Sequence, residues 1–156
     1  MKKKVFAGAV WLVMGWCAAA TAQSVQVSHA WVRATVPGQV ASGAFMTLTA
    51  RSSTRLVEVK TPVAGMADLH EMKMEGNVMR MHAVEGGLDL PAGKPVELKP
   101  GAYHFMLMDL KGPLRLNTAI PLTLVFQDAK GTRTRMQIKA PVLQAAPTAP
   151  AATKPG

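Results

Sequence analysis

Apolar and polar residues alternate along most of this chain beyond residue 29, and no stretch sustains a 3.6-residue period. A period of two marks a strand with one buried face. The pattern predicts strands over "AWVRAT" (30–35), "SGAFMTLTA" (42–50), "TRLVEVK" (54–60), "DLHEMKM" (68–74) and "VMRMHAV" (78–84). It continues through "PVELK" (95–99), "AYHFMLMDL" (102–110), "IPLTLVFQ" (120–127) and "TRTRMQIKA" (132–140). Turn-forming pairs punctuate these runs at Pro37-Gly38, Gly76-Asn77 and Pro100-Gly101. Many short strands at regular spacing predict an all-β sandwich or barrel in a single domain.

The ends do not share the pattern. Lys2, Lys3 and Lys4 precede an apolar run from Val5 to about Ala20, and "ATA" at 20–22 supplies small residues for a signal peptidase. This reads as a signal peptide over 1–22, cut between Ala22 and Gln23, with the mature protein in the periplasm. An uncleaved anchor is disfavoured, because the run is short for a spanning helix and ends in small residues. Bulky Trp16 argues against a lipoprotein signal at Cys17. The last residues, "QAAPTAPAATKPG" (144–156), are rich in Pro, Ala and Thr and predict a disordered tail. Residues 23–143 are left as the folded domain. Cleavage removes Cys17, the only cysteine, so the domain depends on its core and on no disulfide.

The formal charge of +9 falls to +6 without the three leader lysines. The remaining basic residues are scattered, and the chain has few aromatics, so a nucleic-acid partner is not expected. The charge describes a solvated surface suited to an acidic partner or anionic headgroups. Stable membrane insertion after cleavage is not expected, and a monomer is.

Chemistry enters with "HEMKMEGNVMRMH" (70–82), which packs four methionines and two histidines into thirteen residues. A two-residue turn at Gly76-Asn77 sets a hairpin register. Glu75 then faces Val78, Met74 faces Met79, Met72 faces Met81 and His70 faces Ala83. His70, Met72, Met74, Met79 and Met81 share one face, and Glu71, Lys73, Glu75, Arg80 and His82 share the other. A methionine face on a hairpin is ordinarily core packing. Against that stands a second pair, His104 and Met106, on one face of another strand. Imidazoles and thioethers recurring on separate strands, in a domain without cysteine, point to a soft-metal site.

The spacing and its flanks resemble the periplasmic copper chaperones of the PCu(A)C family. Their motif is a His, ten intervening residues, a Met, twenty-one intervening residues, and then His-x-Met. Here ten residues separate His70 from Met81, and twenty-two separate Met81 from His104, one more than the family spacing. The surplus residue is assigned to "EGGLDLPAGK" (85–94), where a turn can absorb it. The resemblance also covers "AWVRATVPGQVASGAFMTL" (30–48) and "LKPGAYHFMLMDL" (98–110). It implies a cupredoxin-like Greek-key β-sandwich, one Cu(I), and delivery to a copper acceptor protein in cytochrome c oxidase assembly. As metal ligands it implies His70, Met81, His104 and Met106. Met72, Met74, Met79, Met108 and His82 lie outside the motif.

This donor set suits the task. Cu(I) accepts thioether sulfur, whereas harder ions prefer oxygen. Thioethers need no deprotonation and cannot be lost to disulfides in an oxidising compartment. Absence of cysteine excludes a blue-copper electron-transfer centre. No catalytic triad order or phosphate-binding loop stands out, so an enzyme is not expected. Two alternatives stay open: a copper-buffering or resistance protein with no dedicated acceptor, and a structural sandwich whose methionines are core.

Overall fold

The computed structural model describes residues 24–147. The leader, its cleavage point and the tail beyond 147 lie outside the described residues. Ten strands follow in order: β1 (Val25–Arg33), β2 (Ala41–Ala50), β3 (Thr54–Lys60), β4 (Ala64–Glu75), β5 (Val78–Ala83), β6 (Leu88–Leu90), β7 (Pro95–Leu98), β8 (His104–Leu110), β9 (Ala119–Gln127) and β10 (Arg133–Leu143). Among the described residues no helix is long and apolar enough to cross a membrane.

The strands form two sheets. The first runs β5-β4-β8-β2-β1, with β7 paired to the far half of β2; the second runs β10-β9-β3-β6. A short parallel contact between β1 and β10 joins them, at Val32 opposite Val142 and Arg33 opposite Leu143. Leu48, Phe105 and Leu107 from the first sheet meet Leu56, Leu122 and Leu124 from the second in one core. Full burial of such side chains contributes about 1.5–3 kcal/mol each. The predicted sandwich is therefore what forms.

Two strands depart from the sequence reading. β1 begins at Val25, well before the predicted run. Its pairing with β2 shifts between Ser28 and Trp31, where His29 takes a φ of 52°. That bulge reverses the alternation midway and hides the strand from a period-two pattern. β6 lies inside the segment read as turn. It has three residues, of which Leu88 and Leu90 point into the core.

The hairpin of β4 and β5 has the predicted register, with Met72 opposite Met81, Met74 opposite Met79 and His70 opposite Ala83. Gly76 has a φ of 62° at the first turn position, while Asn77 stays out of the left-handed region. This is the demand of a II′ turn, which glycine meets without strain. Residues on the core-facing side of β4 change character along the strand. Ala67 and Leu69 pack on the core, whereas Glu71, Lys73 and Glu75 beyond them form surface ion pairs. Every residue of β5 is exposed. The hairpin thus extends past the cover of the second sheet.

Candidate metal centre

Alternation sorts the first sheet into two faces. Leu69 pairs with Phe105, and both pack in the core. His70 pairs with His104 and Asp68 with Met106, so these residues face outward, away from the second sheet. Met72 and Met81 continue the same outward face across β4 and β5. All four motif residues therefore share one face. His70 is central: His104 lies directly across on β8, while Met106 on β8 and Met81 on β5 are diagonal neighbours. Diagonal positions are about 7–8 Å apart at the backbone, within reach of long side chains.

This arrangement overturns core packing as the explanation of the hairpin methionines. Met81 is 46% exposed, Met79 45% and Met74 64%. Met106 is half-buried. His82 is on the opposite face, as its register demands, where its Nε2 meets Glu75 Oε1 at 2.8 Å.

His104 is the buried end of the site. Its Nδ1 lies 3.1 Å from the carbonyl oxygen of Ala102. A carbonyl only accepts, so Nδ1 carries the proton and the neutral ring presents the Nε2 lone pair. The turn before β8 holds that carbonyl: the Ala102 amide donates to Lys99 O at 3.1 Å, and the Lys99 amide donates to Tyr103 O at 2.8 Å. The Met72 amide donates to Ala102 O at 3.3 Å, tying β4 to the same turn.

His70 stands across from it, with ring centroids 6.0 Å apart and planes inclined by 55°. Its Nδ1 is buried and, alone among the described side chains, is a buried polar atom with no hydrogen-bond partner. An orphaned buried polar atom costs roughly 1–3 kcal/mol unless something satisfies it. Burial lowers the His70 pKa, and the electrostatic influence of the neighbouring His104 imidazole lowers it further, against a smaller opposing pull from Asp68. The imidazole is thereby kept neutral and able to donate a lone pair. Asp68 and Asp109 are exposed, and Glu71 pairs with Lys73, so the carboxylates near the histidines in sequence do not orient them.

These residues fit a soft ion. An imidazole nitrogen sits about 2 Å from a bound metal, and two rings 6.0 Å apart can share one ion between them. Among the described residues no three His, Cys, Asp or Glu side chains cluster as a metal site. The further soft donors at hand are thioethers, Met106 on β8 and Met81 on β5, both diagonal to His70.

Other residues shape the surroundings. An open cleft of about 310 Å³ is lined by Arg33, Gly43, Phe45, Met72, His104 and Met106. The Phe45 ring lies 6.3 Å from that of His104 and stacks on Trp31 at 4.6 Å. The Arg33 guanidinium covers both aromatic rings, at 5.6 and 5.9 Å. Gly43 makes room for this wall, since a Cβ there would lie 2.7 Å from the Phe45 ring. The sequence reading assigned no role to Trp31, Arg33, Gly43 or Phe45. The signal was present in "SGAFM", where Gly43 and Phe45 alternate with the core-facing Ala44 and Met46.

The two-sheet sandwich is that of a PCu(A)C-type, cupredoxin-like domain. The chain belongs to the LpqE-like family, described as "Putative lipoprotein LpqE-like", whose pattern matches residues 25–142. It is 33% identical over 118 residues to "Putative lipoprotein Lxx21020" of Leifsonia xyli subsp. xyli (strain CTCB07), covering 76% of this chain and 71% of that protein. Among solved structures, it superposes on the apo PCuAC domain from PmoF1 with a TM-score of 0.64 and 26% identity, covering 80% of this chain and 96% of that one. The solution structure of CuI-DR1885 from Deinococcus radiodurans matches with a TM-score of 0.60 and 32% identity, over 81% and 83% of the two chains.

Proposed function

We propose that this protein is a copper carrier outside the cytoplasm, which binds one Cu(I) through His70, Met81, His104 and Met106 and hands it to an acceptor in cytochrome c oxidase assembly. The observation that carries the reading is the facing pair of imidazoles, with the buried His70 Nδ1 unpartnered. The copper-bound state of the similar Deinococcus protein supports the choice of ion. The leader-like residues 1–22 support export to the periplasm. The lipoprotein names of the relatives also favour a site outside the cytoplasm, although Trp16 disfavours a lipid on Cys17 here.

The chemistry of release follows from the donors. Neutral thioethers hold Cu(I) less firmly than thiolates, so a cysteine-bearing acceptor can take the ion downhill. The exposed Met81 gives that acceptor a first sulfur to displace, while His104 is shielded by the aromatic wall. Four protein donors leave no open coordination position for oxidative catalysis, which favours a carrier over an enzyme.

Anaerobic titration of the purified protein with Cu(I), followed by mixing with a reduced thiol-bearing acceptor domain, tests the proposal. One tightly held equivalent that moves to the acceptor is the expected result. Copper that stays on this chain would make it a store, and absence of binding would end the copper reading.

A further inference from the structure

The carrier site uses one hairpin methionine, Met81, and leaves three unexplained. Met74 and Met79 are direct cross-strand partners at the second rung from the turn, and Met72 lies two rungs inward, at the next position on the same face. Met74 is 64% exposed and Met79 45%, so neither is held by packing. Their face points away from the core, and no described segment covers β5. The opposite face of the hairpin is closed by its own ion pairs, with Glu75 bridging Arg80 and His82 at 3.0 and 2.8 Å. The methionine face has no such partner. Apolar burial does not explain these residues, and β-propensity favours branched or aromatic side chains on an exposed strand. What the three share is a thioether at the end of a long, adaptable chain.

We infer that Met72, Met74 and Met79 form a second, weaker Cu(I) site at the hairpin, separate from the imidazole site. Cross-strand Cβ atoms lie about 4.5–5.5 Å apart, a gap that two methionine side chains span to one ion. Met72 supplies a third sulfur from the next position on the same face of β4. Three neutral thioethers select a soft monovalent ion and reject harder divalent ones. The absence of imidazole from the set makes it weaker and independent of pH near neutrality. Met81 faces Met72 directly, so the two sites adjoin across one pair. This inference deepens the copper reading and relies on it for the identity of the ion, but the donors are different.

Native mass spectrometry after anaerobic addition of Cu(I), supplied as its acetonitrile complex, counts the ions directly. The unmodified protein should take two, the second only with excess copper. The M74L/M79L variant should stop at one, and circular dichroism should show it folded, since both side chains are exposed. The H70A/H104A variant should also hold one, and that one should vanish when the leucines are added. A single ion on the unmodified protein that persists in M74L/M79L overturns the hairpin site, as does a second ion that survives the leucines. A single ion lost in M74L/M79L but kept in H70A/H104A upholds the hairpin site and overturns the imidazole one.

Discussion

The two faces of the first sheet use methionine in opposite ways. Met46 on β2 points inward and is 1% exposed, packed against the second sheet. Met79 on β5 points outward and is 45% exposed, with no described segment above it. Both sit in alternating strands and look alike in sequence. The difference is whether a second layer covers the face. Where it does, methionine is filler; where it does not, the thioether is left available. The candidate site lies on the uncovered face and grades along it, from buried His104 through half-buried His70 to exposed Met81.

Stability separates the faces most sharply. Met46→Ala should cost about 2–5 kcal/mol, because it opens a hole in a packed core. Met79→Ala should change stability by less than about 0.5 kcal/mol. Urea unfolding of the two apo variants measures both. Equal costs would mean that the outer face is also packed.

Copper binding should reverse the ranking. His70→Ala or His104→Ala should weaken Cu(I) affinity by at least the roughly 10–100-fold typical of losing even an outer partner of a ligand. His82→Ala, on the opposite face with Glu75, should leave affinity nearly unchanged. Competition with a Cu(I) chelator ranks the three. If His82→Ala did the most damage, the assignment of faces to functions would be wrong.

Exchanging sulfur for nitrogen sharpens the comparison further. M81H/M106H should remain folded, since Met81 is exposed and Met106 half-buried. Its preference should move from Cu(I) towards Cu(II), which favours nitrogen donors. Unfolding of the apo variant, or an unchanged preference, would show that these thioethers are not ligands.

The smallest expected effect is on pH. Burial and His104 lower the His70 pKa in the folded protein, so the unfolded chain takes up its proton first as pH falls. The contribution of neutral His70 is complete above the ordinary pKa of about 6.5 and declines below it, down through the folded value. Apo-protein stability should therefore slope downward below about pH 6.5, and His70→Gln should flatten part of that slope. A stability rising on acidification through this range would place His70 in a different setting.

These contrasts also mark what could be read from the chain. The hairpin register was legible because Gly76-Asn77 allows a two-residue turn, and a period of two then assigns every side chain to a face. The separation of His82 from His70 followed at once. The cover over each face was not legible, because it depends on where the second sheet ends. The change from Leu69 to Glu71 and Lys73 on the inward side was the available clue. β6 was missed because three residues are too few to show a period. The first half of β1 was missed because the bulge at His29 breaks it. The facing of His70 and His104 depends on β4 pairing with β8, a contact between strands separated by β5, β6 and β7. No local pattern encodes that pairing; the family resemblance anticipated its result.

X-ray absorption at the copper edge, on protein loaded anaerobically with one equivalent of Cu(I), tests the central claim most directly. The account predicts two nitrogen and two sulfur neighbours around the ion, from His70, His104, Met81 and Met106. A shell of sulfur alone would put the first ion on the hairpin methionines, and a shell of nitrogen and oxygen alone would remove the thioethers from the site; either contradicts it.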